Sequence, residues 1–257
     1  MTNPETQFER ELEVFRKEVE EAVQSFYAWH TVHSVARNDK QVYSILNRYA
    51  AFWNLTLRAL QTNSLIALGR IFDNDRRSHR VYRLLELAEA NPEIFSKGSL
   101  DKRKRNQSAD SGEWIGDYMR DVYLPTARDF KRLRRYLDAR RSTYDNNYKD
   151  LRDKFFSHKD RVDVTGFFAH TNIRELEQLL VFFGRLHDGL WELFQNGRKP
   201  NLRLVRYSTK SILKLPARLH RNSADQEWIT HETKKFLNGL VESQTEVIRH
   251  ASGKSAG

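Results

Sequence analysis

Arg152 and His158 are the two side chains of this sequence best suited to work on a phosphate. They lie in the stretch Leu151-Arg152-Asp153-Lys154-Phe155-Phe156-Ser157-His158-Lys159-Asp160. A guanidinium is permanently charged and meets an oxyanion through parallel N–H donors. An imidazole with an unperturbed pKa of about 6.5 can give or take a proton near neutral pH. Of the nine histidines, His158 alone has an arginine five to seven residues ahead of it. Asp153 stands where it can orient either group, and Lys154, Ser157 and Lys159 are placed to hold neighbouring phosphates. The same residues also have plainer uses. His158 can cap a helix C-terminus as a cation, and Arg152 can pair with Asp153 or Asp145 at the surface.

Spacing restricts how the pair can work. Leu151 and Phe155 are four apart and anchor one helical face. Arg152 and His158 are six apart, which at about 100° per residue turns them roughly 120° from one another on an ideal helix. One chain keeps them apart unless the helix ends or distorts near Phe156. A two-fold dimer offers a second route, because each chain can complete the other's site.

The elements that must position this stretch read as helices. Phe8, Leu12, Phe15, Val19, Val23, Phe26 and His30 recur every three or four residues, predicting a helix over about 6–34. Asp39 suits the N-cap of a second helix running unbroken to about Phe72, with Tyr49, Trp53 and Leu57 on its stripe. Ser78 suits the cap of a shorter helix that Asn91-Pro92 ends. Residues 97–124, with Lys102-Arg103-Lys104-Arg105, read as a polar surface excursion. Pro125 suits the first turn of the helix leading to Leu151. Asn172 and Glu175 have capping-box spacing ahead of Leu176, Leu180, Phe183, Leu186 and Leu190. Asn196-Gly197 is a stop signal. Arg198 to Arg221 contains no acid and reads as extended and basic. A last helix is expected over about 224–250, capped by Ser223, with Trp228, Phe236, Leu240 and Val247 packing and residues 251–257 frayed. The expected fold is therefore all-α, an up-and-down helical bundle over residues 1–197, with 198–257 adding a basic extension and a final helix.

Composition narrows the function classes. Forty-four Lys and Arg against 34 Asp and Glu give a formal charge of +10, which favours polyanionic partners. No cysteine is present, which excludes disulfides, thiolate metal sites and cysteine nucleophiles. His30 and His33 read as structural, and His170, His187, His220, His231 and His250 lack neighbours at metal-ligand spacing, so no metal and no cofactor are expected. No apolar run approaches the ~20 residues of a spanning helix. No basic-then-apolar signal layout opens the chain. Both observations predict a cytoplasmic protein without a membrane partner.

The stretch Arg152-Asp153-Lys154-Phe155-Phe156-Ser157-His158 resembles the arginine–polar–spacer–histidine motif of the HEPN superfamily, α-helical proteins of which many are metal-independent ribonucleases. Ala67-Leu68-Gly69-Arg70-Ile71-Phe72-Asp73, followed by Ser78 and Leu84-Leu85, is similar to its abortive-infection branch. The likeness extends over about Phe8 to Gly197. It implies an endoribonuclease with Arg152 and His158 as catalytic residues and Asp153 as the polar position beside the arginine. It also implies a homodimer whose two motifs face one cleft, and a role as a defence or toxin effector. Lys154, Ser157, Lys159, Arg203, Arg206 and Lys210 are the expected RNA-binding residues. A neutralising or regulatory protein partner fits the same setting. Two alternatives use the same helices without turnover: an RNA-binding module relying on 198–221, or an interaction protein of a toxin–antitoxin or defence complex.

Overall fold

The computed structural model describes residues 3–73, 75, 77–107, 111–151, 172–216 and 224–253, with side chains except at 111–113, 151 and 245–253. Most of the described residues are helical, with no strand among them. They form α1 (Pro4–Asn38), α2 (Lys40–Arg48), α3 (Ala50–Ile71), α4 (Val81–Ala90), a 3-10 turn (Pro92–Phe95), α5 (Lys97–Gln107), α6 (Ser111–Tyr118), α7 (Ala127–Asn147), the short α8 (Lys149–Leu151), α9 (Ile173–Asn196), α10 (Thr209–Leu213) and α11 (Asp225–Gly253). The all-α expectation is met. The chain divides into two compact units, residues 1–20 with 66–204, and residues 21–65 with 205–257. The divisions fall inside α1 and near the end of α3.

The first unit has an aromatic core. Phe8, Leu12, Phe15 and Val19 on the opening turns of α1 are buried, as the periodicity predicts. Phe8 meets Phe95 edge-on at 5.4 Å between ring centres and Phe194 at 5.0 Å. Phe183 sits at the centre of a second group, 6.2 Å from Phe15 and 5.0 Å from Phe72, which in turn lies 4.9 Å from Tyr144. Such pairs contribute roughly 0.5–1.5 kcal/mol each beyond the area they bury. α9 supplies most of this wall: Leu179, Leu180, Phe183, Leu186, Leu190 and Leu193 are all buried, while Ile173 at its start is exposed. Gly197 ends α9 in the left-handed region, φ 57°. A β-carbon there would come within 2.6 Å of the Val122 side chain, so both conformation and space require glycine.

The second unit is built on the rest of α1. Val32, Val35, Val42, Trp53 and Leu237 form its core, flanked by Leu46, Leu57, Leu213 and Leu240. Asn63 donates to the Ser25 hydroxyl (2.9 Å) and Ser64 to the Ala22 carbonyl (3.1 Å), fixing α3 against α1. Tyr27 donates its hydroxyl to the Tyr207 carbonyl, and His30 shares a hydrogen bond with Thr209 (2.8 Å), fastening the chain that follows residue 204. His30 is thus structural, as expected.

Several local expectations are corrected. The helix expected over 39–72 is two helices: Asp39 does cap α2, accepting from Gln41 and Val42, but the helix breaks at Tyr49. Tyr49 closes α2 as its C-cap and is 54% exposed although its spacing placed it on the stripe. Ser78 is not the cap of α4; Arg80 occupies that position without a side-chain cap, and Ser78 belongs to the preceding turn. Residues 97–124 are not a free excursion, since α5 and α6 lie there. Lysine, arginine and glutamine are good helix formers and need only a few anchors. Leu100 is one, and Arg103 is another. The Arg103 guanidinium donates to Glu5 (2.8 Å) and to the Phe194 carbonyl (2.8 Å), and lies 4.1 Å from the centre of the Phe194 ring. Pro125 precedes the cap rather than opening the helix, for α7 begins at Ala127 after Thr126. On α11 the buried hydrophobic residue among the described side chains is Leu237, beside the buried polar Gln226, Thr230 and His231, whereas Trp228 and Phe236 are exposed. α11 also continues to Gly253, past the expected end. Val247 and Ser223 lie outside the described side chains.

Candidate functional site

α7 leads into the motif and α9 leads away from it. Phe130, Leu133, Leu137 and Tyr144 hold α7 on the core of the first unit, at the helical spacing seen in the sequence. Arg141 is locked between Asp145 (2.9 Å) and the Phe72 carbonyl (2.9 Å). α7 stops at Asn147, and the buried Tyr148 follows as its C-cap. Tyr148 donates its hydroxyl to the Asn172 carbonyl at 3.0 Å. Asn147 donates to Glu175 at 3.0 Å. Glu175 is therefore turned toward α7, and Asn172 caps α9 alone by accepting from Arg174 at 2.9 Å. These two bonds tie the end of α7 to the start of α9, forming a neck between the described residues that flank 152–171 in the sequence. Burial, and then the nearby Glu175 carboxylate, pushes the Tyr148 phenol well above its ordinary range. It stays a protonated donor across any physiological pH.

Arg152, Asp153, Lys154, Ser157, His158 and Lys159 lie outside the described residues. Their catalytic and RNA-binding assignments stay with the sequence. Of the other expected RNA-binding residues, Arg203 belongs to the first unit and Arg206 and Lys210 to the second. All three are exposed. Arg206 adopts φ 52°, rare for a residue with a β-carbon, and its guanidinium reaches Glu227 at 3.4 Å.

Arg203 lines a cleft of about 750 Å³ in the first unit. One wall is α7, through Arg132, Tyr136, Ala139 and Arg140; the other is the segment Lys199-Pro200-Asn201-Leu202-Arg203, with Phe182 at the base. That segment lies close to α9 because Gly189 has no side chain. A β-carbon there would stand 3.1 Å from Pro200. The Arg140 guanidinium lies 5.3 Å from the centre of the Phe182 ring, a cation–π contact that orients it. No carboxylate of a described residue lines the cleft. Four cations around an aromatic side chain make a surface suited to a polyanion. Lys199 falls within the basic stretch 198–221 read from the sequence, a reading that does not pick out Arg132, Tyr136 and Arg140 as a site. Their only signal was the cation–aromatic–cation spacing on α7. Among the described residues, no group of three or more His, Cys, Asp or Glu is placed to hold a metal ion.

The family model for AbiU2, a HEPN family, matches residues 5–214. The chain belongs to the AbiU2 family of HEPN proteins. This is an abortive-infection-type family, in agreement with the resemblance read from Arg152–His158 and from residues 67–85. The AbiU2 match takes in the motif, the neck and both walls of the cleft, and stops before α11. Comparisons with curated proteins and with solved structures give no match. Among the described residues no helix is long and apolar enough to cross a membrane.

Proposed function

We propose that this AbiU2-family chain is a metal-independent endoribonuclease of abortive-infection defence, acting as a homodimer with a site shared between the two copies. The observation that carries this reading is the family match, which spans Arg152 and His158. In the reaction the ribose 2′-oxygen attacks the adjacent phosphorus and the bond from phosphorus to the 5′-oxygen breaks. One His158 takes the 2′-hydroxyl proton. The His158 of the second copy protonates the departing 5′-oxygen. Each such proton transfer typically contributes about 10²–10⁴-fold. Arg152 holds the non-bridging oxygens and opposes the charge that builds on them. Lys154, Ser157 and Lys159 bind flanking phosphates, and Asp153 orients its neighbours. The neck at Tyr148 and Asn172 supports the reading, because a catalytic segment gains from fixed ends.

Incubation of the purified protein with mixed RNAs in excess chelator tests this. The expected products end in a 2′,3′-cyclic phosphate, and a 2′-deoxy substitution at the cut position abolishes cleavage. Chelator-sensitive activity, or cleavage of the deoxy substrate, would contradict it.

One observation favours a second reading, a protein-interaction role. Tyr49, Phe52 and Phe236 of the second unit are 54%, 62% and 57% exposed around a groove that Trp53 also lines. Exposed apolar surface of this kind marks contact surfaces. Tight association with a protein and no affinity for RNA would favour it.

A further inference from the structure

The cleft between α7 and residues 199–203 has no place in the chemistry of the motif, yet its side chains are arranged for a particular ligand. Arg132, Tyr136 and Arg140 are spaced four apart, so they share one face of α7 with the ring between the two cations. Eight residues of helix separate the guanidinium-bearing positions by about 12 Å along the axis. A single phosphate does not bridge that distance; a chain of phosphates does. Tyr136 is 44% exposed. The Arg135 guanidinium lies 5.9 Å from the Tyr136 ring centre and adds positive potential beside it. Across the cleft stand Lys199 and Arg203. Lys199 lies 5.4 Å from the Tyr123 ring centre, which holds the ammonium at the rim. Arg132 has one acidic neighbour, Asp129 at 3.4 Å. That long, partly exposed pair contributes little and yields readily to a phosphate.

An aromatic platform flanked by cations is the arrangement by which proteins hold unpaired nucleic acid strands: bases stack on the ring and the backbone tracks the charges. An acidic peptide would satisfy the cations but would leave the ring without a stacking partner. We infer that the cleft is a seat for single-stranded RNA, which stacks a base on Tyr136 and lays its flanking phosphates on Arg132 and Arg140, with Lys199 and Arg203 closing over the backbone from the other wall. This deepens the ribonuclease reading by giving its substrate a docking track on the helix that leads into the motif, and it rests on that reading for the identity of the strand as RNA.

The test measures binding of a fluorescent, unstructured 12-nucleotide RNA by the full chain carrying His158→Ala, in chelator, over a series of salt concentrations. Adding Arg132→Ala/Arg140→Ala is expected to weaken binding at least tenfold at low salt. It should also flatten the log–log salt dependence by about 1.4, since each phosphate contact to a single strand contributes about 0.7. Tyr136→Ala is expected to weaken binding roughly five- to a hundredfold with the salt slope unchanged. Tyr136→Phe should bind like the parent, and Arg132→Lys/Arg140→Lys should keep the slope. Unchanged affinity in the double alanine variant would overturn the inference. So would equal losses in Tyr136→Ala and Tyr136→Phe, or displacement of the RNA by polyglutamate at matched charge. RNA that binds in this variant-sensitive way but is never cut by the parent sequence would leave the cleft standing and defeat the ribonuclease reading. RNA that is cut, while the cleft variants bind it normally, would do the reverse.

Discussion

The two units of the chain bury and expose their aromatic residues in different proportions. In residues 1–20 and 66–204 most rings face inward: Phe8, Phe15, Phe72, Phe95, Tyr144, Phe183 and Phe194 are buried, Tyr136 and Trp191 are exposed, and the described cleft on this unit is cationic. In residues 21–65 and 205–257 Phe26, Tyr27 and Trp53 are buried, the last in an otherwise aliphatic cluster, while Tyr43, Tyr49, Phe52, Leu55 and Phe236 remain exposed. A surface of arginines selects polyanions, and a surface of exposed rings and leucine selects apolar partners. Under the proposed reading, the first unit meets nucleic acid and the second a protein. The contrast also predicts that equal chemical changes have unequal consequences in the two.

The largest difference should come from removing a ring. Phe183→Ala, at the centre of the first unit's core, should lower stability by roughly 3–5 kcal/mol, as cavity-forming truncations of phenylalanine do. Phe52→Ser in the second unit should stay within about 0.5 kcal/mol, as surface changes generally do. Chemical denaturation of both variants checks this, and comparable losses would erase the distinction between the units.

A smaller effect is expected at the neck. Tyr148→Phe deletes the hydrogen bond to the Asn172 carbonyl and should lower stability by about 1 kcal/mol. It should also change the alkaline limb of the stability profile. Because the folded-state pKa of Tyr148 is raised by burial, its contribution is complete below the unfolded value of about 10 and is lost as pH rises through the folded value. The phenylalanine variant should therefore show a shallower decline above pH ~10. An unaltered alkaline limb would count against Tyr148 as a buried donor.

The second unit should respond at the other end of the pH scale, and more weakly. Partial desolvation of the His33 ring, and then the neighbouring His30, lowers its pKa. A lowered histidine stabilises the fold above its unfolded pKa of about 6.5, and that contribution is lost as pH falls through the folded value. His33→Gln should move the midpoint of acid unfolding to lower pH. A midpoint that stays put would show that His33 is not the group that titrates.

How much of this was legible in the sequence depends on whether a feature is local. Asp39 as a cap, Asn91-Pro92 as an ending and Gly197 as a left-handed stop follow from backbone chemistry within a few residues, and all three occur. The stripes of α1, α7 and α9 were legible because periodicity records burial on one face. The break at Tyr49 was not, because the apolar spacing continues straight across it. The burial of Arg103 was not either, since its partners Glu5 and Phe194 lie about 90 or more residues away along the chain. The cleft was half legible: Arg132, Tyr136 and Arg140 are evenly spaced on one helix, but their opposing wall begins at Lys199 and is brought in by Pro200 packing on Gly189. Arg203 belongs to the stretch read as extended and basic and is exposed, while Arg206 reaches a carboxylate that spacing did not pair with it. The motif was read entirely from residue types, and its geometry lies outside the described residues.

His158 bears most directly on the ribonuclease reading. RNA cleavage by the purified protein in chelator should fall by at least about a hundredfold in His158→Ala, with assembly state and helical content retained. A correctly folded His158→Ala variant that cuts RNA at the rate of the parent protein would contradict the account.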